Sequence, residues 1–128
     1  MNMKQNMKLP PYSVLMSVYE GDMPEWVKVA IDSMIGQTLP PSEIIVIEDG
    51  PVSPAVHQVI LSCGESCPQI LRCIPRAKRC GLAEAMRYGV LQCRHEWIAR
   101  MDADDYSDPA RCEEELRSEE HTSELQSR

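Results

Sequence analysis

The sequence lacks several features that would each have pointed to a different class of protein. None of its apolar runs approaches the roughly 18 residues that a membrane-spanning helix needs. Its opening, MNMKQNMKLPPYS, carries lysines with no apolar stretch behind them, so it does not read as a secretory leader. There is no basic excess: 13 Lys and Arg stand against 20 Asp and Glu, for a formal charge of −7 and a pI near 4.9. That balance argues against nucleic acid as the main partner, because phosphate neutralisation needs a basic face. Paired C-x2-C knuckles are missing as well. The six cysteines (Cys63, Cys67, Cys73, Cys80, Cys93, Cys112) begin with C-x3-C and then follow at six, seven, thirteen and nineteen positions. No His stands at ligand spacing from a Cys pair, so neither zinc nor a disulfide framework is expected, and Cys73 and Cys93 read as small core residues. No internal repeat is present. These absences leave a cytoplasmic globular domain as the expectation.

What is present has a clear order. At 43% apolar and 26% charged, the 128 residues have a globular balance and the length of one domain. Tyr12 to Val18 (YSVLMSV) and Glu43 to Glu48 (EIIVIE) read as buried strands, the second branched enough to be covered on both faces. Ile70 to Ile74 and Glu96 to Met101 read as two further strands. Between them fall helical patterns. Asp22 and Glu25 form a capping-box spacing ahead of Trp26, Val27, Ala30, Ile31 and Met34, with Gly36 as the stop. Ser53-Pro54 opens a stripe of Val56, Val59, Ile60 and Cys63, and a third helix runs from Gly81 to Cys93. Asp108-Pro109 begins a last one through Cys112 and Leu116. This βαβαβαβ alternation predicts an α/β fold with a parallel sheet.

Charge is placed unevenly. Seven basic residues lie between Arg72 and Arg100, with only Glu84 and Glu96 among them, and seven acids follow between Asp102 and Glu115. In an open α/β sheet, ligands bind at the carboxyl ends of the strands. Tyr19, the Glu48-Asp49-Gly50 block and Asp102-Ala103-Asp104-Asp105 all fall at such ends. Carboxylates two apart can share a hard divalent cation with positions left for phosphate oxygens. A solvated acidic turn, with Asp as a helix cap, would have the same spelling.

The order SVLMSVYEG, QTLPPSEIIVIEDG, GLAEAMRYGV and WIARMDADD resembles the start of family 2 glycosyltransferases, inverting enzymes of the GT-A fold. The resemblance spans Tyr12 to about Leu116. It implies a Rossmann-like parallel sheet, here the N-terminal, nucleotide-sugar-binding half, working in cell-surface polysaccharide synthesis. It also implies roles for single residues: Tyr19 as the stacking partner of the nucleobase, Asp49 as acceptor for a base N–H, and Lys78 or Arg79 near the base or phosphates. Asp104 is implied as the ligand of Mn²⁺ or Mg²⁺ on the donor diphosphate, with Asp102 beside the metal or ribose and Asp105 behind it or capping the next turn. Glu20 stands where the family often has Asn, and Arg79-Cys80-Gly81 where Asn-x-Gly is common.

The implied activity is metal-dependent transfer, with inversion, from a UDP-type sugar donor to a glycan or lipid-linked acceptor. The full-length protein would be cytoplasmic or peripheral to the inner membrane. The family's catalytic base is expected beyond Leu116, so residues 1–116 read as a truncated GT-A domain that is inactive alone. Residues 117–128 read as an artefactual or disordered tail, because Arg117 to Ser127 resembles a translated sequencing adapter. Two rivals remain: a nucleotidyltransferase-like nucleotide-binding domain, whose basic Gly-rich loop Tyr19-Glu20-Gly21-Asp22 does not supply, and an inactive binding fragment.

Overall fold

Residues 9–118 and the backbone of Leu125–Ser127 are described in the computed structural model. The apolar runs form strands β1 (Tyr12–Val18), β2 (Glu43–Glu48), β3 (Leu71–Pro75) and β4 (Trp97–Asp102). Helices α1 (Pro24–Ile35), α2 (Pro54–Ser66) and α3 (Leu82–Gln92) connect them, and α4 (Arg111–Arg117) follows β4. These four strands are mutually parallel in the order β3-β2-β1-β4, an α/β sheet as expected.

Period-two alternation gives the sheet two apolar faces, and helices cover both. Val14, Met16 and Val18 of β1 and Ile44 and Val46 of β2 pack with Val27, Ile31, Met34, Val56 and Ile60 of α1 and α2. Leu15, Ile45 and Ile47 point the other way, onto Ala85, Met86 and Cys93. Every residue of β2 is buried, which explains why its run is branched and unbroken.

Several local expectations change. Asp22 does not cap α1: Met23 holds the N-cap position without a side-chain bond, and the Asp22 carboxylate turns back to the β1 loop. Trp26 lies on the solvent face of its helix, 55% exposed, although its spacing fits the apolar stripe. Cys93 is buried as expected, whereas Cys73 is only partly so, because β3 is the sheet's edge strand. The helix after the acidic turn starts at Arg111, and Asp108 instead accepts the Ala110 N–H at 2.9 Å ahead of it. Within the stretch read as an artefactual or disordered tail, Leu125–Ser127 forms β5, antiparallel to Trp97–Ala99. Such pairing uses only the open backbone edge of β4, so a stretch without an apolar stripe can supply it. Residues 119–124 and 128 of that tail lie outside the described residues.

One buried side chain joins the end of α1 to the segment behind the acidic turn. Gln37 donates from Nε2 to the Ser33 and Asp108 carbonyls at 3.1 and 2.7 Å, and its Oε1 accepts the Cys112 N–H at 3.0 Å. That N–H belongs to the first turn of α4, where no intrahelical partner exists. Beside it, Thr38 N–H donates to the Pro109 carbonyl at 2.8 Å. Replacing Gln37 by Leu removes all three bonds while nearly keeping the volume, leaving the Cys112 N–H unmet and taking this donor from the Ser33 and Asp108 carbonyls. Gln37→Leu is expected to lower the unfolding free energy by about 1–3 kcal/mol in urea titration. An unchanged midpoint would show that this contact does not hold α4 in place.

Candidate functional site

The parallel register sets where the site lies. Ser17 pairs with Asp102 and Val18 with Glu48, so β1, β2 and β4 finish at one level. The residues that follow meet in a cleft of about 430 Å³ lined by Ser17, Tyr19, Asp22, Asp49, Arg79, Leu82, Asp102, Ala103 and Asp104. That volume is within the usual range for small-ligand sites, and its place outside the carboxyl ends of the strands is the one expected for this architecture.

Each wall has a local cause. After β1 the chain makes a tight turn in which the Tyr19 N–H donates to Asp22 Oδ2 at 2.9 Å and the Asp22 N–H donates to the Tyr19 carbonyl at 3.1 Å. The Tyr19 ring folds over Gly21, so close that a Cβ there would fall 2.5 Å from the phenol oxygen. On the ring's other contact, the Arg79 guanidinium lies 4.5 Å from its centroid, a cation–π pair.

The opposite wall depends on Asp49, which is 3% exposed. Its Oδ1 accepts the Cys80 N–H at 2.8 Å and its Oδ2 the Gly81 N–H at 3.0 Å, so one carboxylate clamps the entry to α3. Gly81 is the N-cap of that helix with φ +96° and, having no side chain, cannot cap the first turn. The Asp49 charge therefore stands where the helix dipole favours an anion. Gly50 makes the approach possible. It has φ +83°, and a Cβ on it would lie 2.7 Å from the Arg79 nitrogen.

The third wall is the turn after β4. Asp102 and Asp104 line the cleft, while Asp105 accepts the Tyr106 N–H at 2.8 Å and stands outside it. Arg111 backs the turn, donating to Ser107 Oγ at 2.9 Å and to the Arg100 carbonyl at 3.1 Å. Burial lifts the Asp22 carboxyl above its ordinary value; the bond from Tyr19 opposes that rise, and the nearby Asp104 charge adds to it.

Of the residues singled out in the sequence, the structure brings Tyr19, Asp49, Arg79, Asp102 and Asp104 together. Glu20 and Lys78 are exposed and lie outside the cleft lining. Asp22 lines the cleft although its spacing marked it as a helix cap. The signal for it was the short polar loop Tyr19 to Asp22, where an Asp side chain readily bonds a nearby backbone N–H. Four carboxylates against one guanidinium make the lining unsuited to a free diphosphate and well suited to an oxygen-ligated divalent cation at Asp102 and Asp104. No helix of the described residues is long and apolar enough to cross a membrane.

Comparison with known proteins agrees with this geometry. The family model described as "Glycosyl transferase family 2" matches residues 13–122. The amylovoran biosynthesis glycosyltransferase AmsE of Erwinia amylovora is 35% identical over 105 residues, which cover 82% of this chain and 39% of that protein. The Escherichia coli UDP-Gal:alpha-D-GlcNAc-diphosphoundecaprenol beta-1,3-galactosyltransferase is 34% identical over 96 residues, covering 75% of this chain and 34% of that one. Among solved structures, the mannosyltransferase PcManGT from Pyrobaculum calidifontis, in complex with GDP-Man and Mn²⁺, superposes with a TM-score of 0.72 at 19% identity, over 87% of this chain and 32% of that one. Residues 1–349 of S. aureus TarS in complex with UDP give 0.71 at 17% identity, over 87% and 32%. This chain thus spans between a third and two-fifths of these two relatives, and the solved structures share its GT-A fold. A match running from β1 through the acidic turn to α4, with glycosyltransferases about one-third identical over three-quarters or more of the chain, places the chain in glycosyl transferase family 2.

Proposed function

We propose that this chain carries the donor-binding half of an inverting glycosyltransferase that moves a sugar from a nucleoside-diphosphate donor, most simply a UDP-sugar, to a glycan or lipid-linked acceptor. The observation that carries this reading is the convergence of Tyr19, Asp49, Asp102 and Asp104 in one cleft at the carboxyl ends of three parallel strands. The uridine donor and lipid-diphosphate acceptor in the printed name of one relative, and the UDP and GDP-Man complexes of two neighbours, support it.

In this reading the Tyr19 ring stacks on the nucleobase, and the cation–π contact with Arg79 keeps that ring in place. Asp49 uses its remaining lone pairs to accept a base N–H, since each oxygen already takes one amide. Asp104 and Asp102 hold the divalent ion, Mn²⁺ or Mg²⁺. When bound, that ion supplies Lewis-acid neutralisation of the leaving diphosphate. Arg79 offers the one positive side chain of the lining to the phosphates, and Glu20 and Lys78 reach the donor only from the rim. Asp22 keeps the Tyr19 turn closed against the metal side of the cleft.

The base that deprotonates the acceptor hydroxyl belongs, in the same reading, to a part of the domain beyond Leu116. Residues 1–116 are then part of a larger GT-A domain, and residues 117–128 add nothing to its chemistry. Glu113, the early acid of α4, is occupied elsewhere: it accepts from Thr38 Oγ1 at 2.7 Å and pairs with Arg117, and both bonds hold its carboxyl below the ordinary value. We place the whole protein on the cytoplasmic side, peripheral to the inner membrane where a lipid-linked acceptor would lie.

Two measurements test this. Calorimetric titration of the 128-residue chain with UDP should show binding in Mn²⁺ that is lost in chelator, and Asp104→Asn should weaken it about tenfold or more. Undiminished binding in chelator would refute the metal assignment. The chain alone should release no sugar to acceptor from a UDP-sugar series; measurable turnover would place the base within it.

A further inference from the structure

The sheet brings a second set of ligating side chains together on the other side of the β2 terminus from Asp49. Glu48 ends β2, His57 stands in the first turns of α2, and Cys73 lies on β3, paired in register with Val46. Alternation puts Val46 and Glu48 on one face, and the α2 helix covers that face. One ligand atom from each of the three residues lies within 4.8 Å of the others, the one such group of His, Cys, Asp and Glu among the described residues. His57 Nδ1 and Glu48 Oε2 are already 2.6 Å apart.

We propose that Glu48, His57 and Cys73 form a zinc-type site, separate from the carboxylate pair at Asp102 and Asp104. A tetrahedral zinc ion with ligands at about 2.0–2.3 Å needs donor atoms about 3.5 Å apart, which small rotamer changes here would reach. Thiolate with imidazole selects zinc or a similar borderline ion over Mn²⁺ and Mg²⁺, which prefer oxygen. The fourth position opens to solvent on the His57 side, whose side chain is 44% exposed, while Glu48 is buried to 5%. An ion there would neutralise that buried carboxylate and tie α2 and β3 to the residue before Asp49. Burial, and the nearby Glu48 charge, push the Cys73 thiol up to about 12, so binding displaces its proton to solvent. This inference stands independently of the transferase reading.

The reduced, metal-stripped 128-residue chain is titrated with Zn²⁺ by calorimetry and with Co²⁺ by absorption. The expected result is one Zn²⁺ per chain and a cobalt complex with a thiolate-to-cobalt charge-transfer band in the near ultraviolet. Cys73→Ser should abolish that band and weaken Zn²⁺ about tenfold or more. His57→Gln, on a half-exposed helix surface, should weaken Zn²⁺ similarly without touching the core. Cys80→Ser, an exposed thiol elsewhere, should change neither. Absence of saturable Zn²⁺ binding, a cobalt complex lacking the thiolate band, or binding sensitive to Cys80 and indifferent to Cys73 would overturn the site.

Discussion

The cleft depends on one carboxylate. Asp49 is almost wholly removed from water, which would be costly for an unpaired charge, and it is stabilised by two amide hydrogen bonds at the entry to α3. Those two bonds fix the β3–α3 loop against the end of β2. They thereby set the position of Arg79, and through the ring contact the position of Tyr19. Gly50 permits the approach, since any side chain there would meet the Arg79 backbone. Removing the carboxylate would take away the shared acceptor of the Cys80 and Gly81 N–H groups and free both walls at once.

The other side of the cleft is held differently. The turn carrying Asp102 and Asp104 is braced from behind, by Arg111 of α4, which donates to the Arg100 carbonyl of β4, and by Gln37 after α1, which accepts the Cys112 N–H at the start of α4. Two rigid supports therefore hold carboxylates of like charge across a small space, and the arrangement calls for a cation between them and any phosphate. Membership of glycosyl transferase family 2 gives that arrangement its chemical meaning.

Much of this was legible in the sequence, for physical reasons. The strands of a sheet covered on both faces must be continuous apolar runs, so EIIVIE and YSVLMSV announce themselves. Residues at the ends of such strands must meet at one edge, and so Tyr19, Asp49 and the acidic turn could be grouped. What escaped depends on partners distant in the chain. Gln37 reads as a loop residue, and only its 75-residue span to Cys112 makes it structural. Asp22 has the spacing of a helix cap, but the competing turn with Tyr19 takes its carboxylate. Trp26 fits a helical stripe on period alone, whereas the face it occupies points to solvent. Glu48, His57 and Cys73 lie on three separate elements, and no spacing rule for metal ligands anticipates a set assembled by strand register.

The measurement that tests the central claim most directly is paramagnetic relaxation of the backbone amides by Mn²⁺ in the presence of UDP. Broadening should be strongest at Asp102 to Asp105 and at Tyr19 to Asp22, and weak at Tyr12 and along α2. Broadening centred on His57 and Cys73, or none attributable to the acidic turn, would contradict the assignment of this cleft as the metal-assisted nucleotide site.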